Sequence, residues 1–289
     1  MEAPPQIPEY AGALCAGNLQ CSSALQLVSG SYYIPKQRKG FPLGDDAHFI
    51  CVNQDAVGIA DGVGSYRSKH KIDPGNFARE LMSHVEKAVA DGAIGAVDLM
   101  RVLATAHLET KAKGASTACI LAIQGQSIHA VNIGDGGFMV VRSRNIVFRT
   151  PVQIHRFNFP FQLGSSHRCD PPSAAQTFEV AVEEGDVIVA GTDGLFDNLF
   201  DHEVASAIIN FTVMSLEPRD MAWLLADMAC ERSKDKTSNT PYSVASYSNF
   251  LSSSSSFEVK PHHGGKKDDI TVIVAKVING SDDSGSVQC

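Results

Sequence analysis

Short apolar runs broken by polar turns alternate along this chain with stretches whose apolar residues recur every three or four positions. Residues 48–52 and 56–60 are two such runs separated by Asn53-Gln54-Asp55, which predicts a β-hairpin ending directly on Asp61. Two helices follow. Asp73-Pro74 supplies an N-cap and a first-turn proline, and Phe77, Leu81, Val85 and Val89 repeat every fourth residue until Asp91-Gly92. The second helix begins near Asp98 and carries Leu99, Val102, Leu103 and Ala106 on one face. Strands are predicted again over 116–123, 127–133, 137–142 and 145–150, with turns at Gln124-Gly125 and Ser143-Arg144. Residues 151–175 read as a long irregular loop. Residues 176–182 and 186–190 read as a hairpin about Glu184-Gly185, helices over 201–213 and 217–233 follow, and a last strand spans 269–277. Trp223 is expected in the core. Helix pairs interleaved with antiparallel strands, without βαβ alternation, predict an α+β sandwich with the sheets packed together and helices outside.

Composition narrows the organisation. Residues 1–27, rich in Pro, Gly, Ala and Ser, read as a loosely ordered lead-in, residues 28–277 as one domain, and 278–289 as a disordered tail. Residues 236–265, with five serines at 252–256, read as a flexible insertion within that domain. The formal charge of −8 gives no general attraction to nucleic acid or anionic membranes. No stretch is long and apolar enough to span a bilayer. Seven scattered cysteines without a C-x-x-C pair fit an intracellular, reducing compartment. The first 35 residues hold no Lys or Arg but include Glu2 and Glu9, so neither a secretory signal nor an Arg-rich transit peptide is expected. On these grounds the cytosol or nucleus is the default compartment.

The candidate chemistry lies in aspartates at strand ends. They occur in Gly44-Asp45-Asp46-Ala47-His48, Ala60-Asp61-Gly62, Gly134-Asp135-Gly136, Gly191-Thr192-Asp193-Gly194 and Lys267-Asp268-Asp269-Ile270. Any one Asp-Gly pair is ordinary turn chemistry. Asp268-Asp269 alone could be a solvated strand start paired with Lys266 and Lys267. Together, each beside an apolar strand able to carry it to a common rim and with no Cys/His cluster, they are the ligand chemistry of hard cations such as Mg²⁺ or Mn²⁺. There is no H-E-x-x-H, P-loop, dinucleotide fingerprint or Cys-x5-Arg nucleophile loop.

In order, these motifs, with Val57-Gly58-Ile59-Ala60-Asp61-Gly62-Val63-Gly64, Gly114-Ala115-Ser116-Thr117-Ala118, Asn132-Ile133-Gly134-Asp135, Gly191-Thr192-Asp193-Gly194-Leu195-Phe196-Asp197 and Lys267-Asp268-Asp269-Ile270-Thr271-Val272, resemble the type 2C metal-dependent Ser/Thr protein phosphatases over about residues 28–277. The resemblance is greatest to the short branch of plastids and mitochondria, and so implies a chloroplast or mitochondrion as the compartment. It implies a four-layer α-β-β-α sandwich, two antiparallel sheets flanked by helix pairs, and a monomeric enzyme acting on phosphoserine and phosphothreonine in proteins. It further implies two Mn²⁺ or Mg²⁺ ions: Asp61 bridging both, the Gly62 carbonyl on one, Asp193 and Asp268 on the other. Asp45 and Asp46 would hold metal-bound waters. Asp135 would do the same or hold a weaker third ion with Asp197, and Asp269 would act from behind the ligands. A hydroxide bridging the ions would attack phosphorus in line. Two departures stand out: Val63 replaces a frequent histidine, and Phe41 replaces a frequent phosphate-binding arginine, leaving Arg38 or Lys39 to grip phosphate. They keep open a pseudophosphatase that only binds, or a hydrolase of small phosphorylated metabolites. Residues 151–175 and 236–265 are expected to carry specificity.

Overall fold

The structure is a computed structural model that describes residues 24–36, 43–93, 95–252 and 260–280. Its strands are β1 Leu25–Ile34, β2 Ala47–Cys51, β3 Ala56–Ala60, β4 Ala115–Ser116, β5 Ala118–Gln124, β6 Ser127–Ile133, β7 Gly137–Arg142, β8 Asn145–Arg149, β9 Ile154–Arg156, β10 Phe159–Pro160, β11 Leu163–Gly164, β12 Gln176–Ala181, β13 Val187–Gly191 and β14 Ile270–Asn279. Its helices are α1 Ser65–His70, α2 Pro74–Ala90, α3 Leu99–Glu109, α4 Asp193–Phe196, α5 Asp201–Val213, α6 Pro218–Lys234 and α7 Pro241–Ser252. Two five-stranded antiparallel sheets dominate, ordered β1-β14-β13-β7-β8 and β12-β6-β5-β3-β2.

Strand alternation explains the layers. Along β5, Cys119, Leu121 and Ile123 point into a core between the sheets, while Ala118, Ile120 and Ala122 join Phe77, Leu81, Val85 and Leu103 beneath α2 and α3. Along β14, Ile273, Ala275 and Val277 enter the same inter-sheet core, while Ile270, Val272 and Val274 pack on α5 and α6. Both faces of the central strands are therefore covered, and β3, β5, β7 and β13 read as continuous apolar runs. The result is the expected four-layer α-β-β-α sandwich.

Several expectations need correction. Residues 176–181 and 187–191 do not form a hairpin: β12 pairs with β6, whereas β13 lies between β14 and β7 in the other sheet. Glu184-Gly185 turns the chain from one sheet to the other, because Phe178 and Val180 pack against the inter-sheet core from the β6 side. Trp223 is 46% exposed, since α6 presents Met221, Ala222 and Leu225 to the sheet instead. The segment read as a flexible insertion contains α7, which opens on Pro241 and is started by Thr240 before it and Ser243 in its first turn, whose hydroxyls accept from each other's backbone N–H at 3.1 and 2.8 Å. The loop at 151–175 contains the β9–β10 hairpin and β11, which pairs with β4. β1 and β14 extend slightly past the expected 28–277, pairing Leu25 with Asn279. Most of the lead-in and the tail lie outside the described residues. Among those described, Cys51, Cys119, Cys169 and Cys230 are free thiols, and no helix is long and apolar enough to cross a membrane.

Candidate metal centre

Register places the aspartates on one rim. Ala47 pairs with Ala60, so the Asp45-Asp46 lead-in of β2 lies beside Asp61 at the end of β3. In the other sheet Gly191 pairs with both Gly137 and Val272, which sets the exit of β13 beside the entries of β7 and β14. Asp193, Asp135 and Asp268 follow or precede those positions by a few residues.

Backbone clamps hold the rim. Asp61 N–H donates to Thr117 Oγ1 at 3.1 Å, and Thr117 N–H returns a bond to the Asp61 carbonyl at 2.9 Å. Gly62 N–H donates to the Asp45 carbonyl at 3.1 Å. A Cβ at Gly62 would lie 2.6 Å from that carbonyl and 2.8 Å from the Pro74 carbonyl, so only glycine fits. At Gly194 a Cβ would strike the Asp269 carbonyl; its absence lets α4 sit against the start of β14 and brings Asp193 toward Asp268.

The carboxylates differ in their partners. Asp46 is buried, and its Oδ2 accepts from Thr192 Oγ1 and Thr271 Oγ1, both at 2.8 Å, tying one sheet to the other at the rim. Asp45 is gripped by both terminal nitrogens of Arg67, one at 2.9 Å. Asp269 accepts from the Tyr33 hydroxyl and the Lys36 N–H, each at 2.9 Å, and is buried behind the rim. The Lys266 ammonium sits among Asp193, Asp197 at 2.7 Å and Asp268 at 3.4 Å. Asn198 fixes the backbone of that lysine by accepting from its N–H and donating to its carbonyl, both at 2.9 Å.

Asp45, Asp61, Gly62, Asp135, Asp193 and Asp268 line a single cleft of about 260 Å³, with Lys36 and Lys266 also on its wall. Asp197 lies alongside at the end of α4, and Asp46 lies close enough to Asp61 to act on its charge. Desolvation, then the charges of Asp193, Asp46, Asp268 and Asp135, push the Asp61 carboxyl well above the usual range. Asp46 and Asp135 are raised for the same reasons, burial first and neighbouring carboxylates next. Asp197 is pushed up to about 6 by burial, with Lys266 opposing. For Lys266 burial works against the charge, but Asp193, Asp197, Asp268 and Asp135 outweigh it and hold the ammonium well above its ordinary range.

This donor set fits a hard divalent cation. Buried carboxylate oxygens of Asp46, Asp135 and Asp193 have no hydrogen-bond partner, a costly state that an oxygen-seeking ion would relieve. Among the described residues no three His, Cys, Asp or Glu side chains converge tightly enough to enclose an ion as they stand. The Lys266 ammonium lies between three of the carboxylates.

Raised carboxyl pKa values make a pH prediction. A group raised on folding stabilises the protein fully below its unfolded value and loses that contribution as pH climbs through the folded value. In chelator, the melting temperature should therefore fall as pH rises from about 4, the ordinary carboxyl value, through about 6 for Asp197 and on through the higher values of Asp46, Asp61 and Asp135. Saturating Mn²⁺ should flatten the fall. Melting curves across that range would check it, and a flat profile in chelator would contradict the repulsion described.

A sequence model described as protein phosphatase 2C matches residues 36–229. The chain belongs to the protein phosphatase 2C family. Over 257 residues it is 47% identical to probable protein phosphatase 2C 55 of Arabidopsis thaliana, covering 89% of this chain and 53% of that protein. It is 42% identical to probable protein phosphatase 2C 80 of the same plant, covering 88% of this chain and 59% of that one. The chain thus spans little more than half the length of these relatives. The crystal structure of the photosystem II phosphatase PBCP is similar, with a TM-score of 0.77, 34% identity, and coverage of 86% of this chain and 98% of that one.

In this protein phosphatase 2C chain, Arg38, Lys39 and Phe41 lie outside the described residues. The cleft draws its described cations from Lys36 and Lys266, which stand outside the sequence motifs. Lys266 had a visible signal, being two residues before Asp268. Thr192 and Thr271, which hold Asp46, carried none beyond their place inside two motifs.

Proposed function

We propose that this chain hydrolyses phosphoserine and phosphothreonine in proteins at a centre of two Mn²⁺ or Mg²⁺ ions, with a weaker third ion near Asp135 and Asp197. The observation that supports it most is the meeting of carboxylates from both sheets in one cleft, with buried oxygens of Asp46, Asp135 and Asp193 unpartnered. Asp61, the Gly62 carbonyl, Asp193 and Asp268 would hold the ions. When bound, such ions acidify water to a nucleophile near neutral pH and offset charge on the phosphoryl group.

The chain's own groups complete the site. Lys36 and Lys266 put positive charge on the cleft wall, where a dianionic phosphate would enter. Thr192 and Thr271 hold Asp46 in one orientation. Asp45, locked by Arg67, and Asp135 direct carboxylates into the same space. No histidine lines the described part of the cleft, and Val63 is apolar, so no imidazole there is placed to protonate the leaving serine or threonine oxygen. The likeness to a photosystem II phosphatase supports a plastid as the place of action.

The test is phosphate release from a phosphothreonine peptide with Mn²⁺ and with chelator. Release that needs the metal is expected. Metal binding without release would replace this reading with a binding module, and a preference of several orders of magnitude for a small phosphate ester would replace it with a metabolite hydrolase.

A further inference from the structure

Beside the metal cleft lies a second cavity of about 330 Å³ that shares Asp135 and Asn158 with it, so the two adjoin. Part of its wall comes from two segments that belong to neither large sheet. The β9–β10 hairpin contributes Phe157 at its tip, followed by Asn158 in the left-handed region at φ 52°, a conformation asparagine tolerates. From α7 comes Tyr242, whose ring lies 5.2 Å from that of Phe157. Phe196 and Phe200 add two more aromatic rings to the lining.

Two of the charged groups around this cavity, Arg149 and Asp197, are already engaged, and Asp135 also lines the metal cleft, where it is proposed to serve the ions. Arg149 lies over the Phe196 ring at 3.7 Å, donates to Thr150 Oγ1 at 2.7 Å and pairs with Asp201 at 3.2 Å. Asp197 is paired with Lys266. A carboxylate would be stripped of water against aromatic rings and three aspartates, and a cationic occupant would compete with Arg149 for Asp201, with Lys266 for Asp197 and with the ions for Asp135. An apolar side chain loses nothing there and buries its surface.

We propose that this cavity receives an apolar side chain of the substrate, two residues from the phosphorylated one. In an extended peptide successive side chains alternate, so residues two apart share a face and stand about 7 Å from each other. With the phosphorylated residue in the metal cleft, the neighbour on the same face meets the adjoining cavity. The inference rests on the phosphatase reading above and specifies its substrates. It also gives the 151–175 segment and α7 a shared role, since Phe157 and Tyr242 together shape the pocket.

The experiment uses the whole chain with Mn²⁺ and phosphothreonine peptides differing only at the second residue on either side, carrying Leu, Ala, Lys or Asp. On one side the Leu peptide should exceed the Ala peptide in kcat/KM by about 10-fold or more, the scale of filling an apolar pocket. Phe157→Ala should reduce that ratio to near unity, while Phe157→Leu should keep most of it. Mn²⁺ titration calorimetry and melting curves on each variant identify any that has lost its fold. Equal rates for all four peptides, a preference for Lys or Asp, or a Leu preference that survives in folded Phe157→Ala would each overturn the pocket and leave the phosphatase reading standing. Failure of wild type to hydrolyse any of the peptides would overturn that reading itself, and the pocket's role with it.

Discussion

Replacing Asp61 with asparagine is expected to lower kcat/KM by more than about 100-fold while making the metal-free protein more stable. Loss of groups that merely orient metal ligands already costs about 10- to 100-fold, and Asp61 is proposed to touch both ions. Asparagine keeps the side chain's shape, so the backbone clamp through Thr117 survives. What disappears is a negative charge facing Asp193, Asp46, Asp268 and Asp135. In chelator that change relieves repulsion and should raise the melting temperature at pH 7.5. In Mn²⁺ it removes a ligand, so wild type should gain more from the metal than the variant does. Calorimetric titration with Mn²⁺ and melting curves in both media would test the pair of opposite signs. An Asp61→Asn protein that binds Mn²⁺ as tightly as wild type would exclude this residue as a ligand.

Lys266→Met should act in the reverse sense. The ammonium is the cation placed among Asp193, Asp197 and Asp268, and it is largely shielded from water, at 14% side-chain exposure. Removing one member of a buried charge cluster leaves Asp193 and Asp197 uncompensated, while Asp268 keeps Lys36 at 3.4 Å, and costs about 3–5 kcal/mol. The metal-free variant should lose stability on that scale in urea unfolding, and saturating Mn²⁺ should recover most of the loss by supplying the missing charge. The variant should also bind Mn²⁺ more tightly, because no ammonium competes with the ion for these carboxylates. Equal destabilisation with and without metal would instead make Lys266 a packing residue of the α4–β14 junction.

Much of the rim was legible before folding is considered. The run 56–60 is apolar and bounded by turn residues, so a strand ending on Asp61 follows from local preference. The hairpins β2–β3, β5–β6 and β7–β8 follow likewise from short polar turns between matched runs. Asp73-Pro74 and Asp98 start their helices through side-chain bonds to Gly75 and Arg101 N–H groups, also local features.

Partner choice over long distances was not legible. The turn at Glu184-Gly185 looks the same whether its arms pair with each other or join separate sheets, and the burial of Phe178 on one side and Ile188 on the other decided for separation. Trp223 has helical spacing suited to a core, yet the rotation of α6 that buries Met221 and Leu225 leaves it in solvent. Lys266 reads as a surface charge until Asn198, 68 residues earlier in the chain, fixes its backbone beside Asp193. Phe157 and Tyr242 are far apart in sequence and meet only over the second cavity. Strands, turns and caps arise from interactions within a few residues, so the sequence by itself determined where each aspartate stands. Which charges and rings face one another depends on how separate apolar surfaces are buried together, and only the tertiary structure decided that.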